Sequence, residues 1–234
     1  GGSGGGVTAG ETGMHDQLRR ERDAVITAMV PNVPFDGWTE ACARAAAAAA
    51  GLDGVDVRTL FPGGAIDMVV HYADLADRKM LMALAGQDLP AMRIRDRIAT
   101  AVRIRLEQHA GERETVRRAL AITALPQHAP AALRSLYNTV DAIWRAAGDT
   151  ATDFSFYSKR GLLAWVYGAT LLHWLDDDSE DHSETWAFLG RRIDGVMQIP
   201  KLKSRFQRAF SAMPNPLRTA RAFRRGAAGF PGRR

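Results

Sequence analysis

The chain has 234 residues, 46% of them hydrophobic and 24% charged, which is ordinary for a folded globule with a sizeable core. No run approaches the roughly 20 consecutive apolar residues that span a bilayer. The single cysteine, Cys42, excludes an internal disulfide and fits a reducing compartment. The formal charge of +5 divides unevenly: residues 201–234 hold 10 of the 31 Lys/Arg and no Asp or Glu. The preceding 200 therefore carry 21 basic and 26 acidic residues, a net of −5. The pI of 9.8 belongs to this tail, and the pattern is a basic appendage on a mildly acidic body, not a DNA-binding domain with a basic face.

Gly1 to Gly6 reads as glycine linker, so residues 1–13 are set aside as linker, non-native or disordered, with Met14 as the expected natural start. The GGSGG within it matches the G-x-S-x-G nucleophile pattern, but no strand precedes it and no helix follows. From His15 to Val30 the spacing of Leu18, Val25, Ile26 and Met29 predicts an amphipathic helix that Pro31 ends. Thr39 is an N-cap for the alanine-rich helix TEACARAAAAAAG, which Gly51 closes. A short helix over Val55–Leu60, a break at FPGG and a longer helix over Ala65–Leu84 follow. Three short helices feeding a longer one look like the N-terminal half of a TetR-type regulator. In such a regulator the short third helix enters the major groove with basic or amide side chains. Here it would bring Asp53 and Asp56 to the phosphates with Arg58 as its only cation, which opposes binding.

Next comes MRIRDRIATAVRIRLEQHAG, with Met92, Ile94, Ile98, Val102 and Leu106 on one side. Its arginines 93, 97, 103 and 105 are expected mainly on the other, as a solvated basic face. Helices over Arg113–Leu125 and Ala131–Ala147 follow, the second with Pro130 at its first position. Gly148 is a natural left-handed C-terminal cap, and Asp153 a natural N-cap for the helix from Phe154 to Leu175. That helix is apolar nearly all round, so it is buried, lines a cavity, or both. DDDSED then reads as a solvated capping loop for a helix over Glu184–Met197, because it lacks the spacing of a calcium loop.

The run TDFSFYSKR, preceded by DAIWRAAGD and followed by LHWLDDDSEDHSETWAFLGRRIDGVM, resembles the ubiquinone-biosynthesis accessory proteins of the Coq-nine family. The match looks collinear from about Arg22 to Ile199. The resemblance implies an all-α, TetR-family-like helical bundle of nine to ten helices, a homodimer, and a cavity among the C-terminal helices. It implies a non-catalytic protein that binds isoprenoid quinone intermediates or phospholipid and presents them to the di-iron demethoxyubiquinone hydroxylase. The family pattern Thr-Asp-Phe-x-Trp-Tyr-x-x-Arg falls on Thr152, Asp153, Phe154, Tyr157 and Arg160, with Phe156 in the Trp position and Lys159 where an Arg is common. The lipid-binding residues implied are Trp144, Phe156, Tyr157, Leu162, Trp165 and Val166, and the partner-binding residues Ile143, Asp153, Phe156, Tyr157 and Arg160. Phe keeps the apolar contact of Trp but loses the indole donor, and Asp153 also serves as an ordinary helix cap.

No catalytic constellation accompanies this. None of the six histidines has a Glu three residues before it, as a di-iron bundle site requires. Cys42 has no partner at zinc-ligand spacing, and no nucleotide-binding glycine motif occurs. His173, beside Asp176 and Asp177, is read as a satisfied histidine on an apolar helix. No cofactor and no metal are expected.

After residue 199 the apolar residues step by three or four through Leu202, Phe206 and Phe210, while Lys201, Lys203, Arg205 and Arg208 form a cationic face. This describes an amphipathic interfacial helix. Each buried apolar side chain contributes up to about 1.5–3 kcal/mol, and each cation near an anionic leaflet about 1 kcal/mol. The expected organisation is therefore one lipid-binding helical domain over 14–199, a membrane-binding helix over 200–213 and a basic disordered tail over 214–234. The expected place is the cytoplasmic side of the inner membrane in a bacterium, or the matrix side of the mitochondrial inner membrane in a eukaryote. No nucleic acid is expected; the alternative is a TetR-type transcriptional regulator that senses a hydrophobic ligand.

Overall fold

The computed structural model describes residues 9–148 and 154–196, with side chains over 13–148 and 159–196. These residues are helical without strands: α1 (Ala9–Met29), α2 (Val33–Asp36), α3 (Glu40–Ala49), α4 (Val57–Leu60), α5 (Ala65–Ala85), α6 (Ile94–Glu107), α7 (Arg113–Thr123), α8 (Ala129–Ala146) and α9 (Phe154–Asp176). A further helix, α10, opens at 183. The described residues up to 191 fall in one compact unit, and 192–196, which are helical, belong to a second. The expected membrane helix over 200–213 and the tail beyond it lie outside the described residues.

Local chemistry fixes most element ends. Thr39 caps α3, its hydroxyl accepting from the Cys42 amide at 3.2 Å, and Gly51 leaves the helix at φ +74°. Asp56 caps α4, accepting from the Arg58 amide at 3.0 Å, so this helix begins two residues later than the sequence suggests. Gly63 donates its amide to Asp67 Oδ2 at 2.6 Å. A Cβ at Gly63 would meet that carboxylate at 2.5 Å, which is why the FPGG break needs glycine there. Pro130 sits in the first turn of α8, and Gly148 leaves it at φ +91°.

The helices differ from the sequence reading at two places. Helix α1 starts at Ala9, not His15. The single turn α2 was not foreseen, because Pro31 was read as the end of helical structure. Instead Pro34 occupies its first turn, where a missing N–H costs nothing.

α5 is the hub of the first unit, packing against α1, α6, α7 and most extensively α8. Val25, Ile26 and Met29 of α1 are fully buried, as are Met80 of α5, Val102 and Leu106 of α6, and Ile143 of α8. An ionic cluster joins α1 to α5. Arg78 donates two hydrogen bonds to Asp23, at 2.8 and 2.6 Å, and His71 Nε2 meets the same carboxylate at 2.7 Å. Burial works upward on the Asp23 carboxyl, but the hydrogen bonds from Arg78 and His71 carry it below its ordinary value.

Candidate functional site

The helices α5 to α9 enclose a cavity of about 360 Å³. That lies within the range of small-molecule sites. Most of its wall is aliphatic, with Val69 and Val70 from α5, Val116 and Leu120 from α7, and Leu136 from α8 among the lining residues. Leu133 of α8 and Leu172 of α9 also line it and are 66% and 60% exposed, so they mark the mouth.

The opposite end is polar. Arg105 of α6 is buried and donates through Nε to Asp77 Oδ1 of α5 at 2.7 Å. One of its terminal nitrogens meets His109 Nε2 at 2.7 Å, and the other reaches the Ala73 carbonyl at 3.3 Å. Thr139 of α8 donates to Asp77 Oδ2 at 2.8 Å. Tyr72 donates to Glu112 Oε2 at 2.6 Å and stands 2.7 Å from His109 Nδ1, which itself lies 2.9 Å from Glu112 Oε2. Arg105, His109, Tyr72, Thr139 and Tyr167 all line the cavity.

The donor inventory assigns the protons. Arginine has no acceptor, so His109 Nε2 must accept and the ring carries its hydrogen on Nδ1, directed at Glu112. His109 is thus neutral, and burial together with the nearby Arg105 charge holds its pKa below the ordinary histidine value. Burial also pushes the Asp77 carboxyl up, with Arg105 and Thr139 pulling the other way. Since Arg105 keeps its charge, Asp77 is its counter-ion. For Glu112, burial acts upward but the hydrogen bonds from His109 and Tyr72 bring it below its usual value.

Tyr72 and His109 also line a second cavity of about 320 Å³, where Lys79, Gln108 and Glu112 are found. The two rings, with centroids 4.9 Å apart, are shared by both cavities.

The sequence-predicted residues lie elsewhere around this space. Trp144 is buried, its indole donating to the Lys159 carbonyl at 3.1 Å with the Lys159 ammonium 5.7 Å from the ring centroid. Val166 is buried, Leu162 half-buried and Trp165 54% exposed; none of these four lines the cavity. Ile143 is fully buried, and Arg160 is buried with Nε 2.7 Å from Asp141 Oδ1. Asp153 and the side chains of Phe156 and Tyr157 lie outside the described residues, as do Lys201, Leu202, Lys203, Arg205, Phe206, Arg208 and Phe210.

The basic face expected on α6 needs correction. Arg93 and Arg103 are exposed, but Arg105 turns into the core, and Arg97 is half-buried with one terminal nitrogen 2.9 Å from the Ala147 carbonyl. The signal was present: Ile98, Val102, Arg105 and His109 step by four, three and four along one helical face. The remaining polar calls fare differently. Asp177 caps α10, accepting from the Thr185 amide at 2.8 Å and the Ser179 amide at 2.8 Å. His173 stacks on Phe188 with ring centroids 4.7 Å apart. Among the described residues no three His, Cys, Asp or Glu side chains cluster as metal ligands would.

Between α3 and α4, Arg58 is tied to Glu40, its Nε 3.0 and 3.1 Å from the two carboxylate oxygens.

An all-α bundle with an apolar cavity among its C-terminal helices is the architecture of TetR-type regulators. A TetR transcriptional regulator from Nitrosomonas europaea superposes with a TM-score of 0.60 at 21% identity, covering 76% of this chain and 98% of that one. The fold is thus TetR-like. The chain itself belongs to the COQ9 family. It is 31% identical over 230 residues to the ubiquinone biosynthesis protein COQ9 of Drosophila melanogaster, covering 90% of this chain and 70% of that protein. With the Rattus norvegicus and Homo sapiens COQ9 proteins identity is 31% and 30%, over 75% of this chain in each case. The chain spans 58% and 57% of those two, under two thirds of their length. All three relatives are described as mitochondrial. The COQ9 family model matches residues 129–200, which begin with α8.

Proposed function

We infer that this chain is a non-catalytic accessory of ubiquinone biosynthesis that binds an isoprenoid quinone intermediate in the α5–α9 cavity. It hands that intermediate to the di-iron demethoxyubiquinone hydroxylase. The observation that carries the reading is an aliphatic cavity of about 360 Å³ with one polar end, in a chain of the COQ9 family. A wall of Val and Leu suits an isoprenoid tail or a phospholipid chain, and transfer of apolar surface out of water supplies the affinity.

Residues 201–210 dock the protein on an anionic leaflet, on the matrix side of the inner membrane in a mitochondrion or the cytoplasmic side in a bacterium. The hydroxylase is recognised through Ile143, Asp153, Phe156, Tyr157 and Arg160, of which Ile143 is buried and Arg160 is bound to Asp141. Exposed Tyr137 on α8 and Trp165 on α9 are apolar surface suited to a second copy.

The regulator reading keeps the same fold and cavity but is disfavoured at α4. That helix has four residues, and its only cation is already held by Glu40.

Native mass spectrometry of protein purified gently from ubiquinone-making cells, with and without residues 201–234, tests the proposal. A co-purifying isoprenoid quinone or precursor, lost on deletion of the tail, is expected. Protein that emerges empty, or that binds random duplex DNA in a salt-dependent way, overturns it.

A further inference from the structure

The cavity is apolar along its length yet ends on a buried ion pair, and such a pair is a poor device for stability. Its surroundings suggest a use. Arg105 engages Asp77, His109 and Ala73 with one N–H from each nitrogen, so each terminal nitrogen keeps a further N–H without a partner among the described residues. Tyr167, 6% exposed, lines the same cavity, and its hydroxyl makes no hydrogen bond among the described residues. It stands in the field of Arg105 and Asp77, and burial pushes its pKa up, so it remains a neutral donor.

The acceptors at this end are committed instead. Asp77 Oδ1 receives Arg105 and Oδ2 receives Thr139. His109 Nε2 receives Arg105. The cavity floor therefore offers donors and needs an acceptor. Arg105 and Asp77 cancel in charge, so the floor has no net positive charge with which to hold a carboxylate or phosphate.

We propose that the Arg105–Tyr167 end of the cavity binds the uncharged acceptor oxygen of a ring-bearing lipid, the carbonyl or ether oxygen of a quinone-type head entering first. This rests on the carrier reading above and adds the orientation and selectivity of the ligand. At about 30 Å³ per water the cavity holds roughly a dozen waters, which is room for a substituted ring and not for a long isoprenoid chain. The rest of the tail leaves between Leu133 and Leu172. The ring is kept dry until the ligand is handed on.

The test compares two probes by native mass spectrometry: a ubiquinone with a two-isoprene tail, and the same tail on an unsubstituted phenyl ring. The natural chain binds the quinone about tenfold more tightly, the size of one satisfied buried donor. Tyr167→Phe, which removes only the hydroxyl, brings the two affinities together while the melting temperature stays within a few degrees. Leu136→Trp, which fills the cavity, abolishes binding of both. Equal affinities in the natural chain, a preference that survives Tyr167→Phe, or binding untouched by Leu136→Trp each overturn the proposal and leave the carrier reading standing. Failure of the natural chain to bind either probe overturns both.

Discussion

Replacing Asp77 by Leu leaves Arg105 as an uncompensated charge in the core. The carboxylate accepts from Arg105 Nε at 2.7 Å and from Thr139 at 2.8 Å, and both partners are buried. Breaking such a pair from one side costs about 3–5 kcal/mol. For a unit of this size each kcal/mol lowers the melting temperature by about 2–4 °C, so the expected fall is about 6–20 °C. The double variant Asp77→Leu/Arg105→Met removes both charges. Thr139 keeps its contact to the Ser135 carbonyl at 3.3 Å, while His109 Nε2 and the Ala73 carbonyl lose the Arg105 donor. The double variant should therefore lie about 1–3 kcal/mol below the natural chain, better than either single substitution. Urea titrations of the four proteins at neutral pH give the coupling directly. A loss below about 1 kcal/mol for Asp77→Leu, or strict additivity of the two substitutions, would refute the assignment of a desolvated ion pair.

Stability should fall on acidification in two stages. His71 and His109 have folded pKa values below the unfolded value, because burial favours their neutral rings. The unfolded chain therefore binds more protons, and their contribution is complete above about pH 6.5 and lost as pH falls below it. Asp23 is also depressed, so its contribution persists to about pH 4 and is lost below that. Chemical denaturation at about pH 7.5, 5 and 3 measures both stages, and a His109→Gln variant should flatten the first and leave the Asp23 stage in place. Gly148→Ala should cost about 1–2 kcal/mol in the same assay, because φ is +91° and the new Cβ meets Arg97 Nη1 at 3.1 Å. Phe156→Asp should abolish co-purification with the di-iron hydroxylase and leave the melting temperature unchanged; a large fall in melting temperature instead would make Phe156 a core residue.

What the sequence made legible was the chemistry of ends. Thr39, Gly51 and Gly148 announce caps through side-chain reach or positive φ, which are local properties, and the structure honours each one. The apolar helix α9 was equally plain, since its period leaves little polar face. The polar floor was not. Arg105 was grouped with Arg93, Arg97 and Arg103 because charge suggests solvent. Its place on the Ile98–Val102–His109 stripe shows inward direction only once Asp77 is known to face it from α5. That pairing spans 28 residues and depends on how α5 and α6 pack. Thr139, another residue of the floor, is further still, 62 residues from Asp77. Aromatic richness likewise drew attention to Trp144 and Trp165, although the cavity wall is made chiefly of Val, Leu and Ala.

The two ends of the first unit have been put to different uses by the same helices. α5 is bound to α1 through Asp23 and Arg78 at one place and carries Asp77 and Tyr72 into the cavity region at another. In a regulator such a helix would couple ligand occupancy to the reading helix. Here α4 is one turn long, is capped by Asp56 and has its cation held by Glu40. What remains sensitive to occupancy is the cavity itself. A ligand oxygen that engages Tyr167 and Arg105 joins a network already tied to α5, α6 and α8, and so stiffens the α5–α9 bundle without needing the N-terminal helices to move.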